Sequence, residues 1–398
     1  QAVALFVDQA NQDVRNKLAA DAIPPESLET LYPETTKSEL SKLRDELALL
    51  EKNPPDLPSA MGVTEDRVTD VAVHVRGNPL KLGEIVPRHT PPVVNGPRSL
   101  LFSSTESGRR QLADWLIDPQ QPLTSRVLVN RAWRWHFGKG LVRTTENFGL
   151  LGETPSHPEL LDWLARQFVS SGWSIKGLHR LILNSTTYQQ SSIQSEEMIA
   201  RDPENRLLGR FSVRRLDAEE VRDALLTVSG QLDPAIGGSL LKVKNRAYLF
   251  DHTSIDLTDY TSQRRSLYLP VIRNNVFDLF QLLDFPDPAV PTGDRATTTV
   301  APQALLMLNS DFVMQSADEL AARLLAECGD DVWRISQMHN SVYGRDATAE
   351  EIRASQTFMA SIEQSLLAAE FDPVKRKNQS WNILCHVALA ANEFVYVR

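Results

Sequence analysis

Cysteine and long apolar runs are both scarce in this chain of 398 residues. The two cysteines, Cys328 and Cys385, exclude a disulfide-rich scaffold and any four-cysteine zinc centre. No Cys-x-x-Cys-His string occurs, so no c-type haem is attached here by that motif, and we expect no cofactor and no metal in the chain itself. No apolar run approaches the roughly 18 residues that span a bilayer. The longest candidate, residues 381–397, is interrupted by His386, Asn392 and Glu393, so no transmembrane segment is expected. Positive charge is in deficit as well. A formal net charge of −9 argues against a non-specific nucleic-acid binder, and we expect no nucleic-acid partner. The first residue is Gln1 with no signal peptide ahead of it, which reads as a mature or trimmed stretch of a longer chain.

What is present is ordinary for a folded protein. The apolar share is 42% and the charged share 23%, which excludes wholesale disorder and a fibrous fold. At about 150 residues per domain the length allows two or three domains. Residues 1–60 read as a helical arm or connector. Within them Thr36-Lys37-Ser38-Glu39 has the spacing of a capping box, opening a helix through residue 50 with Leu40, Leu43, Leu47 and Leu50 at helical spacing. Residues 61–104 read as a strand followed by a proline-rich wrap, with Val68, Val71, Val73 and Val75 largely at period two and a turn at Arg76-Gly77-Asn78-Pro79.

Residues 105–398 read as one mainly helical domain. Helices are expected at 108–117, 124–137 and 175–183, with a further helix opened by Ser156-His157-Pro158-Glu159 as a capping box. Asp217 and Thr348 cap two more, the latter running through residue 367, and 302–325, 332–343 and 377–392 follow. Residues 248–250 and 266–271 read as short strands, while 284–288 and 292–299 are irregular, as clamps and functional loops often are. The expected class is mainly α with a few short β-strands, a multi-helix globular domain with an extended N-terminal helical arm.

The densest polar and aromatic stretch is residues 130–138. On a helix Arg126, Asn130 and Trp133 share a side. They would form a ligand platform with a tryptophan stacked on a sugar or other ring, or a packed core helix, since aromatics dominate cores. His136 and His157 flank a loop containing Glu146, Asn147 and Glu153. Two histidines and carboxylates can hold a metal, but the spacing matches no closed signature. The candidate ligand-binding residues are therefore Arg126, Asn130, Trp133, His136, Glu146 and His157, with no catalytic residue assignable. Residues 184–188 lack the elbow motif that exposes a nucleophilic serine and read as a helix end. The charges from Arg214 to Asp223 fit intrahelical pairs on a solvated or interface face better than paired catalytic acids. Asp251, Asp256 and Asp259 lack the glycine and terminal glutamate of a calcium loop.

Several strings resemble a known family. They are Leu123-Thr124-Ser125-Arg126-Val127, Asn130-Arg131, His136-Phe137-Gly138-Lys139-Gly140-Leu141-Val142, Asn147-Phe148-Gly149, Gly172-Trp173-Ser174 and Arg215-Leu216-Asp217-Ala218-Glu219. Together with stretches at 154–163, 179–192, 265–270, 284–287, 298–310 and 384–397, they resemble a planctomycete-type C-terminal domain of unknown function. The resemblance spans roughly residues 65–398. It implies a place in large exported proteins, extracytoplasmic, with a cytochrome-c-like or another uncharacterised domain on the same precursor or on another chain. Any haem would then sit on that other segment or partner. The setting implied is tied to polysaccharide use. The resulting expectation is a non-catalytic structural or interaction module of an exported, cytochrome-linked assembly. The alternative is a carbohydrate-binding or carbohydrate-active protein with a site near Trp133, His136 and His157.

Overall fold

Apolar residues at helical spacing set an architecture that is mainly α, with four short antiparallel strands among the described residues. The computed structural model describes residues 2–18, 28–52, 62–95, 102, 105–193, 195–240, 260–273, 275–327 and 329–397. Described residues up to Val63 form one compact unit and those from Thr64 on a second. No described helix is long and apolar enough to cross a membrane.

The first unit holds α1 (Ala2–Arg15) and α2 (Glu34–Lys52), with a 3-10 turn at Leu28–Leu31. Ala10, Val14, Tyr32 and Leu40 make its small core, and the Tyr32 hydroxyl donates to Asn11 Oδ1 at 2.6 Å. The helix expected to open at Thr36 starts two residues earlier. The carbonyl of Pro33 takes its first hydrogen bond, from Lys37 N–H at 3.0 Å, and Glu34 sets a carboxylate against the free N–H groups of the first turn. Only Leu40 of the expected leucine stripe is buried, while Leu47 and Leu50 are exposed.

The second unit opens on an antiparallel ribbon of β1 (Val71–His74) and β2 (Leu82–Val86), with Val71 opposite Val86 and Ala72 opposite Ile85. Helices α3 (Pro92–Asn95) and α4 (Arg109–Leu116) follow. Then α5 (Thr124–Phe137), α6 (Pro158–Ser170) and α7 (Ile175–Leu183) pack together, burying Val129, Trp133, Phe137, Leu161, Leu164, Phe168 and Ile182, with Phe211 closing the cluster. Gly138 ends α5 in the left-handed region at φ 82°, where glycine carries no steric penalty. The capping box expected at residues 156–159 does not form. His157 takes the N-cap place without a side-chain bond, because the Ser156 hydroxyl faces His157 Nδ1 at 3.0 Å instead.

A larger core follows. It is built from α9 (Ala218–Ser229), α10 (Asp278–Leu282), α11 (Ala301–Asn309), α12 (Asp311–Ala326), α13 (Asp331–Tyr343), α14 (Ala349–Ser365), α15 (Pro373–Ala390) and α16 (Asn392–Val395), while α8 (Glu196–Arg201) precedes it. Helix α15 lies at its centre, in contact with α11, α12, α13, α14 and α16, with Trp381, Cys385 and Leu389 fully buried. Cys385 is a free thiol 4.0 Å from Met338 Sδ, and burial pushes its pKa up; Cys328 lies outside the described residues. Capping boxes at Asp217 and Thr348 open α9 and α14 as expected. The two cores are bridged by β3 (Arg214–Arg215) paired with β4 (Tyr396–Val397).

Two expectations are corrected here. The stretch 302–325 is broken at Ser310, whose extended backbone (φ −73°, ψ 128°) separates α11 from α12. Residues 266–271 carry no strand. Ser266–Tyr268 is a 3-10 turn, because Asp223 claims the Ser266 N–H at 2.8 Å and its hydroxyl at 2.6 Å. The strand expected at 248–250 lies outside the described residues.

Candidate functional site

Helix α5 carries four of the six expected site residues and turns them to different tasks. Asn130 is fully buried. Its Nδ2 donates to the Val142 carbonyl at 2.9 Å, and its Oδ1 accepts the Val142 N–H at 2.8 Å. The side chain thus satisfies both backbone groups of a loop residue twelve positions on, as a neighbouring strand would. Trp133 is buried with its ring stacked on Phe137, centroids 4.2 Å apart. Arg126 is partly exposed and pairs with Asp162, Nε to Oδ1 2.7 Å. His136 Nε2 lies 2.8 Å from His179 Nδ1, and the ring meets Tyr188 edge-on. Burial above all, then the charges of His179 and Arg214, hold the His136 pKa below its usual value. At that separation one of the two ring nitrogens donates and the other accepts.

The two loop residues have other partners. Glu146 is exposed, its Oε2 accepting from the Thr145 hydroxyl at 3.1 Å. His157 contacts Ser156 at the start of α6. Among the described residues no group of three or more histidine, cysteine, aspartate or glutamate side chains comes together to hold a metal ion.

A concave feature opens beside α5. A cleft of about 510 Å³ is lined from α5 and its cap by Arg134, Trp135 and Lys139, from the 203–215 segment by Asn205, Arg210, Arg214 and others, and by Asp217, Thr297, Thr299 and Tyr396. Its position follows from local folding. Trp133 and Phe137 join the helical core, Phe137 also reaching the cleft wall, while Arg134 is buried against Asp294 and Trp135 stays half exposed. The Trp135 ring is 46% exposed and faces the guanidinium groups of Arg134 at 4.4 Å and Arg295 at 5.4 Å. Arg295 in turn holds Glu219 at 2.6 Å, and Arg134 pairs with Asp294.

Burial pushes the Asp217 carboxyl above its usual pKa. Arg295 pulls it back in part, and Glu220 pushes it further up. Nine buried side-chain nitrogens or oxygens lack a hydrogen-bond partner among the described residues, and four belong to this one lining: the Nε atoms of Arg134, Arg214 and Arg215 and Asn205 Oδ1. Such atoms are rare in folded proteins, so their concentration sets this cleft apart.

None of the six residues expected from the sequence lines this cleft. Trp135, Arg134 and Arg214 were within the quoted stretches, but only tertiary packing says which face of α5 is inward. A family model described as "PSD1: Protein of unknown function (DUF1553)" matches residues 108–359. Neither a curated protein nor a solved structure matches the chain.

Proposed function

The chain belongs to the PSD1 family of proteins of unknown function, matched from the start of α4 well into α14, and on that footing we propose that it is a non-catalytic interaction module of an exported, cytochrome-linked assembly. The observation that carries this reading is the β1–β2 ribbon. Val71, Val73, Leu82 and Ile85 are all exposed on it, and Leu80 is exposed in its turn. A two-stranded ribbon is marginal alone, and both its edges offer unpaired backbone groups. Val71 lies on one face of the ribbon and Ile85, opposite Ala72, on the other, and exposed apolar residues on both faces favour a partner surface over open solvent. The base of the ribbon is held in place, with Arg88 Nε on Asp70 at 2.8 Å and Arg88 Nη1 on the Glu106 carbonyl at 2.7 Å. The partner is the cytochrome-c-like domain that the sequence resemblance implies, on the same precursor or on another chain, and the haem is that partner's.

The test is affinity purification of the chain from its native envelope, with haem absorbance followed in the eluate. Haem is expected to co-elute, and V73K with I85E is expected to reduce it about tenfold or more, since two apolar anchors are lost. Both side chains are exposed, so the fold should keep its circular dichroism. An eluate without haem, or haem unchanged in the double variant, sinks the proposal.

A second reading, a carbohydrate ligand on α5, is favoured by the half-exposed ring of Trp135 at the cleft. A glycan array probed with the wild-type chain and with W135A tests it, and signal unchanged by the substitution counts against it.

A further inference from the structure

The cleft beside α5 carries more positive charge than it neutralises. Five cationic side chains line it, Arg134, Lys139, Arg210, Arg214 and Arg215, against two carboxylates, Glu204 and Asp217. Three of the cations have a carboxylate each: Arg134 has Asp294, Arg214 has Glu220 and Arg215 has Asp284. Glu204 is held from outside the lining by Arg143 at 2.7 Å. Asp217 faces Arg295 at 4.0 Å and spends its side chain on the cap of α9.

Two cations remain. Arg210 is only 6% exposed, and its Nη1 and Nη2 donate to the backbone carbonyls of Asp202 and Pro203, each at 3.0 Å. The Asp202 carboxylate spends its oxygens on the N–H groups of Arg206 and Leu207. The Asp202 carboxylate feels the Arg210 charge without bonding to it, and in a medium of reduced dielectric a further opposite charge is worth more than in water. Lys139 is exposed at the cleft and makes no hydrogen bond or ion pair that the structure records; Glu204, which feels its charge, is already held by Arg143. Arg134 adds a guanidinium that spends one Nη on Asp294 and leaves its Nε without a partner. Hydroxyl groups of Ser212, Thr297, Thr299 and Tyr396 complete the lining.

We propose that this cleft binds the oxyanion group of a small polar ligand, a phosphate, sulfate or carboxylate. Lys139 and Arg134 make the contacts and the charge of Arg210 stands behind them. The proposal is independent of the ribbon and of any partner domain. It also runs against the chain as a whole, whose net charge of −9 repels anions, so binding here must come from the local arrangement. A cleft of about 510 Å³ has room for a body of sugar-phosphate size behind the charged group.

Isothermal titration calorimetry on the whole chain at low salt tests this, with sodium phosphate, sulfate, acetate, glucose 6-phosphate and neutral glucose as titrants. At least one oxyanion is expected to bind saturably at one site, with affinity falling as sodium chloride rises. K139A is expected to weaken it about tenfold, one charge-assisted hydrogen bond being lost, and K139E to abolish it. Lys139 is exposed, so both variants should keep the wild-type circular dichroism. Glucose 6-phosphate binding more tightly than phosphate identifies a ligand that carries the anion on a larger body. Equal binding identifies the free ion. No saturable heat from any oxyanion at about 10 mM, or affinity unchanged in K139E, overturns the proposal.

Discussion

Replacing Arg222 by alanine is expected to cost the second unit about 3–5 kcal/mol of unfolding free energy. Arg222 projects from α9 and is 2% exposed. Its Nη1 donates to the Arg264 carbonyl at 2.9 Å and to Ser266 Oγ at 3.1 Å, and its Nη2 donates to the Ser262 carbonyl. Burial holds its pKa below the usual arginine value, with Asp223 pulling the other way at 3.6 Å. Truncation would take this donor from the partly buried Arg264 and Ser262 carbonyls and from buried Ser266 Oγ and leave a void against α9, and each unmet acceptor costs up to about 1–3 kcal/mol. R222K restores one ammonium in place of a planar fork and should recover only part of the loss. Urea unfolding followed by circular dichroism measures it. A change below about 1 kcal/mol would mean that water replaces the guanidinium without difficulty.

Asn130 gives the second large effect. N130A is expected to cost about 2–4 kcal/mol, because the Val142 N–H and carbonyl both lose their partner in a buried place. G140A should act on the same contact from the other side. A Cβ at Gly140 would collide with the Val142 carbonyl and approach Asn130 Nδ2 to 2.7 Å. Thermal unfolding reads the loss, and hydrogen exchange at the Val142 amide locates it. If N130A leaves stability unchanged and removes ligand binding instead, Asn130 is a ligand residue after all.

Helix α5 shows what the sequence makes legible and where that stops. Its ends are readable because Gly138 follows the last apolar residue and takes a positive φ. The caps at Asp217 and Thr348 are readable for a similar reason, since a local side chain meets a local N–H. Asn130 misleads because a polar residue on an apolar face suggests a pocket, while its partner lies in a loop that no periodicity places. Residues 266–271 mislead through apolar alternation, though Leu267 is exposed and no strand pairs with them among the described residues. Arg222 looked like one charge among several because its acceptors lie about forty positions away, in an irregular segment. The cleft is the least legible feature of all. Its lining comes from separate segments between Arg134 and Tyr396, and its charge balance is set by pairings that only the assembled fold reveals.

The central place of α15 bears on how this protein is made. The α5–α7 core draws its fully buried residues from positions 129–211 and can close while synthesis continues. The larger core cannot, because Trp381, Cys385 and Leu389 fill its middle. Strand β3 likewise waits for β4, more than 180 residues later in the chain. At roughly 5–20 residues per second that delay is on the order of ten seconds or more. During it the apolar faces of α9 and α12 are uncovered, so a nascent chain stalled before residue 373 should hold chaperones and aggregate on release. Tyr396 belongs to the last of the described strands to emerge, so the charged cleft is finished only when translation of that strand is.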